Sequence, residues 1–315
     1  MIFCNESQEI PTAKSYFSGL KIFDVSLIAV SVLLFLATLC LCCLHLRAVK
    51  TLVSDEVISG LLSWLCALFP VTSFLSIVGL CVPRSLVLVS SFTQVYFARV
   101  LFVFVYLVRR LFGGLSNQKQ KLRKHIHLAA PPCCCCFCLP KLKPTSANLS
   151  WIEWLSLQAG LLRPFLLFGA MVIFIDQQGQ IPAELDRAID VIGTVSSLIA
   201  IWGANIEARM AQKPLSEYGV YLVARFLQLS ILFHNLQGPL AGLLARYKVV
   251  TCTLLLPAVT RVTLWNHAAL VLEMFLLSVL VTICLRPSRC AMFDLHKSHS
   301  DCAQNEPLQQ ESMTI

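Results

Sequence analysis

The sequence predicts an all-α membrane protein: a bundle of seven transmembrane helices with the N-terminus outside and the C-terminus cytoplasmic. Three observations predict it. First, 57% of the 315 residues are hydrophobic and only 13% are charged, with a mean hydropathy of +0.74. A soluble domain carries about 25% charged residues, so this chain lacks the polar surface to cover a water-facing globule. Second, seven apolar stretches each approach the ~20 helical residues that a bilayer core requires. Third, lysine and arginine gather in alternate connections between those stretches.

The spans are predicted over residues 25–46, 58–81, 86–109, 152–175, 188–206, 217–240 and 264–285. Residues 1–24 form an extracellular N-terminus, residues 25–286 the membrane domain, and residues 287–315 a polar cytoplasmic tail. Met1 to Gly19 has no basic start, and the apolar run that follows is longer than a cleaved signal needs, so span one is expected to be an uncleaved anchor. Pro70 and Pro164 fall inside spans two and four, where a kink is expected and neighbouring helices re-satisfy the freed carbonyls. Span five is the most polar, with Thr194, Ser196, Ser197 and Asn205. Such residues suit a helix packed inside a bundle.

Orientation follows from the charges. With the N-terminus outside, fifteen lysines and arginines fall on the cytoplasmic side and seven on the other. The loop of about 110–151, counted with Arg109 at its edge, supplies eight of the fifteen and decides the matter. The formal charge of +8 therefore reads as attraction to anionic lipid, and no nucleic-acid role is expected. Asn5-Glu6-Ser7 is a glycosylation sequon placed outside, making Asn5 the acceptor candidate; Asn148-Leu149-Ser150 is a second one, placed inside. Trp151, Trp154, Tyr218, Tyr221 and Trp265 stand near span ends, as interfacial aromatics should.

The cytoplasmic loop contains Pro131-Pro132-Cys133-Cys134-Cys135-Cys136-Phe137-Cys138-Leu139-Pro140. Adjacent cysteines in a reducing compartment do not suit disulfides, and their spacing with His125 and His127 matches no zinc pattern. Juxtamembrane cysteines flanked by bases suit S-palmitoylation, which is the favoured reading for Cys133, Cys134, Cys135, Cys136 and Cys138, ahead of an unmodified apolar loop and a metal site. No metal or cofactor is expected, and no HExxH, P-loop or GxSxG sequence suggests an enzyme.

Ionisable residues within spans are functional candidates by default. Here they are Arg99, Arg163, Arg225 and Glu273, each expected to face the bundle interior. The bland reading pairs Glu273 with one arginine, which leaves two unaccounted for. A net positive interior suits an anionic ligand. Asn205 and Gln237 are placed with them as lining candidates, although a lone polar residue in a span more often makes an interhelical hydrogen bond.

Together these features resemble one family, the alpha subunit of the organic solute transporter. The proline-bounded cysteine run looks like that family's loop signature. Pro70-Val71 with Val82-Pro83-Arg84, Arg225-Phe226 with Leu236-Gln237, and Leu272-Glu273-Met274-Phe275-Leu276 resemble its second, sixth and seventh spans. Arg225 stands where the family usually has lysine, and Gly238 separates Gln237 from Pro239. The resemblance implies a facilitative, sodium-independent transporter of bile acids, conjugated steroids and similar amphipathic anions. It further implies a single-span beta-type partner and a plasma-membrane location, with retention in the endoplasmic reticulum when unpartnered. The alternative reading is a palmitoylated seven-span scaffold or trafficking regulator without transport. A seven-span receptor is disfavoured, because Leu107-Val108-Arg109-Arg110 lacks an acidic-Arg-aromatic triplet and span seven lacks an Asn-Pro-x-x-Tyr sequence.

Overall fold

The computed structural model describes residues 11–115, 117–118, 122, 126–130, 141–176, 182–247, 249–250, 256–287 and 290–294. Asn5 and the Cys133 to Cys138 run lie outside the described residues. The order is α1 (Ala13–Ser18), α2 (Ile22–Leu52), α3 (Glu56–Cys66), α4 (Leu68–Cys81), α5 (Leu86–Phe112), β1 (Ile126–His127), β2 (Lys141–Leu142), α6 (Ser146–Asp176), α7 (Ala183–Gln212), α8 (Val220–Arg246) and α9 (Ala258–Cys284).

Every predicted span is found in helix, the second as two consecutive helices, α3 and α4. Among the described residues, six spans are long and apolar enough to cross a membrane: Ile22–Leu52, Glu56–Cys81, Leu88–Phe112, Ser146–Ile173, Val191–Gln212 and Ala258–Cys284. The expected count of seven is thus met for six. The remaining long helix, α8, carries Arg225, Gln228, His234, Asn235 and Gln237 along its length, and these dilute its apolar content.

The helices close a ring in the order α4, α5, α6, α7, α8, α9, and α2 lies against α4 and α9. α5 is the central element. Val100, Phe104 and Leu107 on it are fully buried, and it packs on α3, α4, α6, α7 and α8. In lipid a hydroxyl has no water to bond. Ser31, Thr38, Thr93 and Ser230 therefore donate to the carbonyl one turn back, at 2.8–2.9 Å. Ser196 and Asn205 on α7 are buried, as expected of a helix inside the bundle, and Ser196 exchanges bonds of 3.0 and 2.8 Å with Gln158 on α6. Thr194 is exposed.

The second span is interrupted at Ala67, between α3 and α4. The cause is Pro70, which has no N–H for the carbonyl of Cys66. That carbonyl accepts from the Cys42 thiol of α2 at 3.6 Å. A neighbouring helix thus re-satisfies the freed group. No such break occurs at Pro164, which sits within the continuous α6.

The basic end of the bundle is tied by polar contacts. α5 ends on Gly113 in the left-handed region, φ 77°, where the N–H groups of Gly113 and Gly114 cap the carbonyls of Arg110 and Arg109. Arg109 pairs with Glu153 of α6 at 3.3 Å, and Arg110 with Asp55 at 3.0 Å. Asp55 also caps α3 through the N–H groups of Val57 and Ile58. Burial works against the Asp55 carboxylate, yet the Ile58 N–H, Arg110 and the Val57 N–H outweigh it and hold the carboxyl below the usual range. At the opposite end, Tyr16 packs with Leu80, Leu86 and Leu264, and burial pushes its phenol up to about 12, with Asp24 and Cys81 adding to the effect.

Candidate functional site

The two short strands pair antiparallel, Ile126 opposite Leu142 and His127 opposite Lys141, on either side of the cysteine run. This stem is docked on the bundle. Trp202 donates to the Leu128 carbonyl at 2.9 Å, Arg209 donates to that of Ala129, and Ile126, Leu128 and Ala130 pack with Leu149, Ile152 and Ile206. The loop carrying the cysteines therefore leaves and returns at one fixed place beside α6 and α7. Asn148, in the second sequon, is used locally: its amide donates to the Lys143 carbonyl at 2.9 Å.

Arg99 is not inside the bundle. It is exposed, near the middle of the span Leu88–Phe112, on the outer face of α5. The expectation that it faces the interior is corrected here. The reason is helical phase. Val100, Phe104 and Leu107 fill the buried face of α5, so Arg99, Phe102 and Tyr106, spaced i, i+3, i+7, share the opposite one. The guanidinium lies 5.6 Å from the centre of the Trp64 ring and 5.1 Å from that of Phe102. Neither ion pair among the described residues includes it.

Two open grooves meet at Arg99. One, of about 420 Å³, runs between α3 and α5 and is lined by Glu56, Val57, Gly60, Leu61, Trp64, Arg99, Phe102, Val103 and Tyr106. The other, of about 450 Å³, runs between α5 and α6 and is lined by Val95, Ala98, Arg99, Phe102, Trp154, Leu157, Gly160 and Leu161. Both volumes fall in the ~300–1,000 Å³ range of small-molecule sites, and both combine aromatic and aliphatic walls with the Arg99 guanidinium, the first also carrying the Glu56 carboxylate at its α3 end. This is the chemistry that holds an amphipathic anion: hydrophobic burial for the body, a guanidinium for the head.

The remaining candidates sit elsewhere. Arg225 on α8 is inside, over the Tyr221 ring, and donates to the Tyr221 hydroxyl, to Gln228 at 3.0 Å and to Asn205 at 3.5 Å. Glu273 accepts from Gln237, an interhelical bond between α9 and α8, and among the described residues no arginine pairs with it as the bland reading would have it. Arg163 lies on α6, one residue before Pro164, and its side chain is outside the described residues. The structure thus separates Arg99 from the Arg225–Asn205 pair and the Gln237–Glu273 pair. Sequence reading passed over Glu207, which is 2% exposed and has neither carboxylate oxygen hydrogen-bonded among the described residues. The fifth span is predicted to stop at residue 206, one short of it, whereas α7 runs on to Gln212.

A family model described as organic solute transporter Ostalpha matches residues 27–289. Organic solute transporter alpha-like protein 3 of Caenorhabditis elegans is 32% identical over 300 residues, 93% of this chain and 86% of that protein. Alpha-like protein 2 of the same organism is 28% identical, over 92% and 86%. Organic solute transporter subunit alpha of Leucoraja erinaceus is 25% identical over 231 residues, 71% of this chain and 66% of the relative. No solved structure matches the chain.

Proposed function

Because this chain belongs to the organic solute transporter alpha family, we propose that it is the alpha subunit of a facilitative, sodium-independent transporter. Its substrates are amphipathic organic anions of the bile-acid and conjugated-steroid kind, and it acts with a single-span beta-type partner in the plasma membrane. The observation that carries the substrate class is Arg99: an exposed guanidinium near mid-span, flanked by Trp64 and Phe102, where two grooves of about 420 and 450 Å³ meet. A lipid-facing arginine at that depth costs a few kcal/mol, and an anionic ligand lying beside it offsets the cost. The anion head rests on Arg99 and its apolar body lies along one groove, so the ligand moves along the flank of the bundle. α8 is read as a further span, the sixth in chain order, which brings the count to seven, with the N-terminus outside and the basic end of the bundle in the cytoplasm.

The test is uptake of a labelled conjugated steroid into cells expressing this chain with and without a beta-type subunit. Saturable flux, unchanged when choline replaces sodium, is expected only with both chains. Absence of flux despite surface delivery of both would favour the scaffold reading.

The cysteine run is proposed to be S-palmitoylated. Its docked stem supports this, since it holds the residues flanking the run beside α6 and α7 at the basic end. Each buried methylene contributes about 0.8 kcal/mol, so two chains suffice for a stable anchor. Serine at positions 133–136 and 138 should abolish incorporation of an alkynyl palmitate analogue. Unchanged labelling would place the acyl chains elsewhere or nowhere.

A further inference from the structure

We propose that α3 is a gate for the groove between α3 and α5, hinged at Ala67 and clasped at its free end by Asp55 and Asp294; this rests on that groove being the anion site. Three independent observations place the device. The hinge is the interruption at Ala67, where Pro70 removes a backbone hydrogen bond from the span. Prolines are the usual cause of such breaks, and a helix short of a backbone hydrogen bond there is the natural place for a hinge.

The second observation is room to move on both sides. The outer face of α3 presents Val57, Gly60, Leu61 and Trp64 to the Arg99 groove. The inner face, two positions round the helix, presents Leu62, Leu65 and Cys66 to a partly open apolar cavity of about 70 Å³, lined on the far side by Phe226 and Val281. An inward swing of about 1–2 Å, typical of helix shifts in switching proteins, fills the cavity and widens the groove.

The third observation is how the free end is held. Arg110 clasps Asp55 at 3.0 and 3.2 Å from α5. A second clasp comes from the segment after α9. There the Ala291 N–H donates to the Glu217 carbonyl at 2.9 Å, the Cys290 thiol to that of Tyr218 at 3.2 Å, and Met292 and Phe293 are buried in the main core. The strap ends on Asp294, whose carboxylate accepts the Ser54 N–H at 3.0 Å and the Ser54 hydroxyl. Gly219, at φ +64°, lets the strap approach, since a Cβ there would meet the Cys290 sulfur at 3.0 Å. The strap is thus anchored on the α7–α8 turn and reaches across to α3 by one exposed carboxylate. An apolar anchor with a polar, solvent-facing tip suits a contact that breaks and reforms.

Val103 reports the gate directly. It lines the groove yet is only 1% exposed, and cysteine is close to valine in volume. The experiment is alkylation of Val103→Cys in the full chain in membranes by N-ethylmaleimide, read by peptide mass spectrometry so that native cysteines do not interfere. Both hydrogen bonds to the Asp294 carboxylate are solvent-exposed and screened by water, so losing the two together corresponds to roughly a tenfold shift in the closed-to-open ratio. Adding Asp294→Ala is therefore expected to speed alkylation at position 103 by about that factor, with Asp294→Asn intermediate. Adding Leu62→Phe, or Cys66→Leu if that variant does not fold, fills the inner cavity and should return the rate to that of Val103→Cys alone. Equal rates in all of these would overturn the gate. Because alkylation needs no substrate, a gate that responds in a chain without anion flux would sink the substrate reading and leave the gate standing.

Discussion

Replacing Arg99 with alanine is expected to lower saturable anion flux by about 10- to 100-fold while leaving surface delivery unchanged. The magnitude is that of a charge-assisted hydrogen bond lost in a low-dielectric site, roughly 1.5–3 kcal/mol. Arg99 stands on the outer face of α5 and packs against nothing but the Trp64 and Phe102 rings among the aromatic contacts found. Truncation therefore removes little core packing. Its cation–π contacts contribute about 0.5–1 kcal/mol at exposed sites, too little to unfold a bundle. Arg99→Lys should fall between, since lysine keeps the charge but loses the planar fork and much of the stacking. Flux and cell-surface biotinylation measured on the same cells decide the matter. Parallel loss of both would make Arg99 a folding residue, and undiminished flux would move the anion route away from the grooves.

The helices were legible because length and apolarity are one-dimensional properties, and a bilayer imposes both. All seven stretches appear, and even the mechanism at Pro70 follows the expectation, down to a neighbouring helix meeting the freed carbonyl. Facing is different. Which side of a helix meets lipid depends on its neighbours, and in a chain this apolar the lipid-facing and buried sides look alike. Arg99 was therefore found as a residue but placed on the wrong side. A signal did exist in the stripe Arg99, Phe102, Tyr106, where a cation and aromatics recur at helical spacing opposite Val100, Phe104 and Leu107. The Glu273 pairing failed for a related reason. Charge alone suggested an arginine, but Gln237 of α8 is the neighbour that reaches it. Glu207 escaped because hydropathy ends a span where polar residues begin, whereas α7 continues past that point. The strap from Cys290 to Asp294 is not legible as an element, since four apolar residues, Cys290 to Phe293, are too few to stand out in a tail that is polar as a whole.

A single methyl group at Gly203 is expected to destabilise the protein, and by more than one at Gly60, Gly79, Gly160 or Gly169. A Cβ there would lie 2.7 Å from the Ser156 Oγ, 2.9 Å from the Leu155 Cβ and 2.9 Å from the Ser156 backbone nitrogen. The last of these belongs to backbone and cannot rotate away, so α6 and α7 must separate. Membrane helices associate through close packing of small residues, and overpacking of this kind costs about 1–3 kcal/mol. At roughly 2–4 °C per kcal/mol, Gly203→Ala should lower the Tm of the detergent-solubilised protein by about 5 °C. Gly169→Ala on the same helix pair, where a Cβ meets nothing within 4 Å, should leave Tm unchanged or slightly raised. Equal Tm values for the two variants would show that the α6–α7 seam yields without cost. The displacement has a functional side as well. α6 supplies Trp154, Leu157, Gly160 and Leu161 to the second groove at Arg99, and the seam with α7 sets how closely that wall stands to α5. Displacing α6 at Gly203 therefore alters the fit of that groove, so Gly203→Ala should weaken apparent substrate affinity at temperatures where the protein is still folded. Stability and affinity then fall together at Gly203, although it lines neither groove, because the helix it displaces forms one wall of the second.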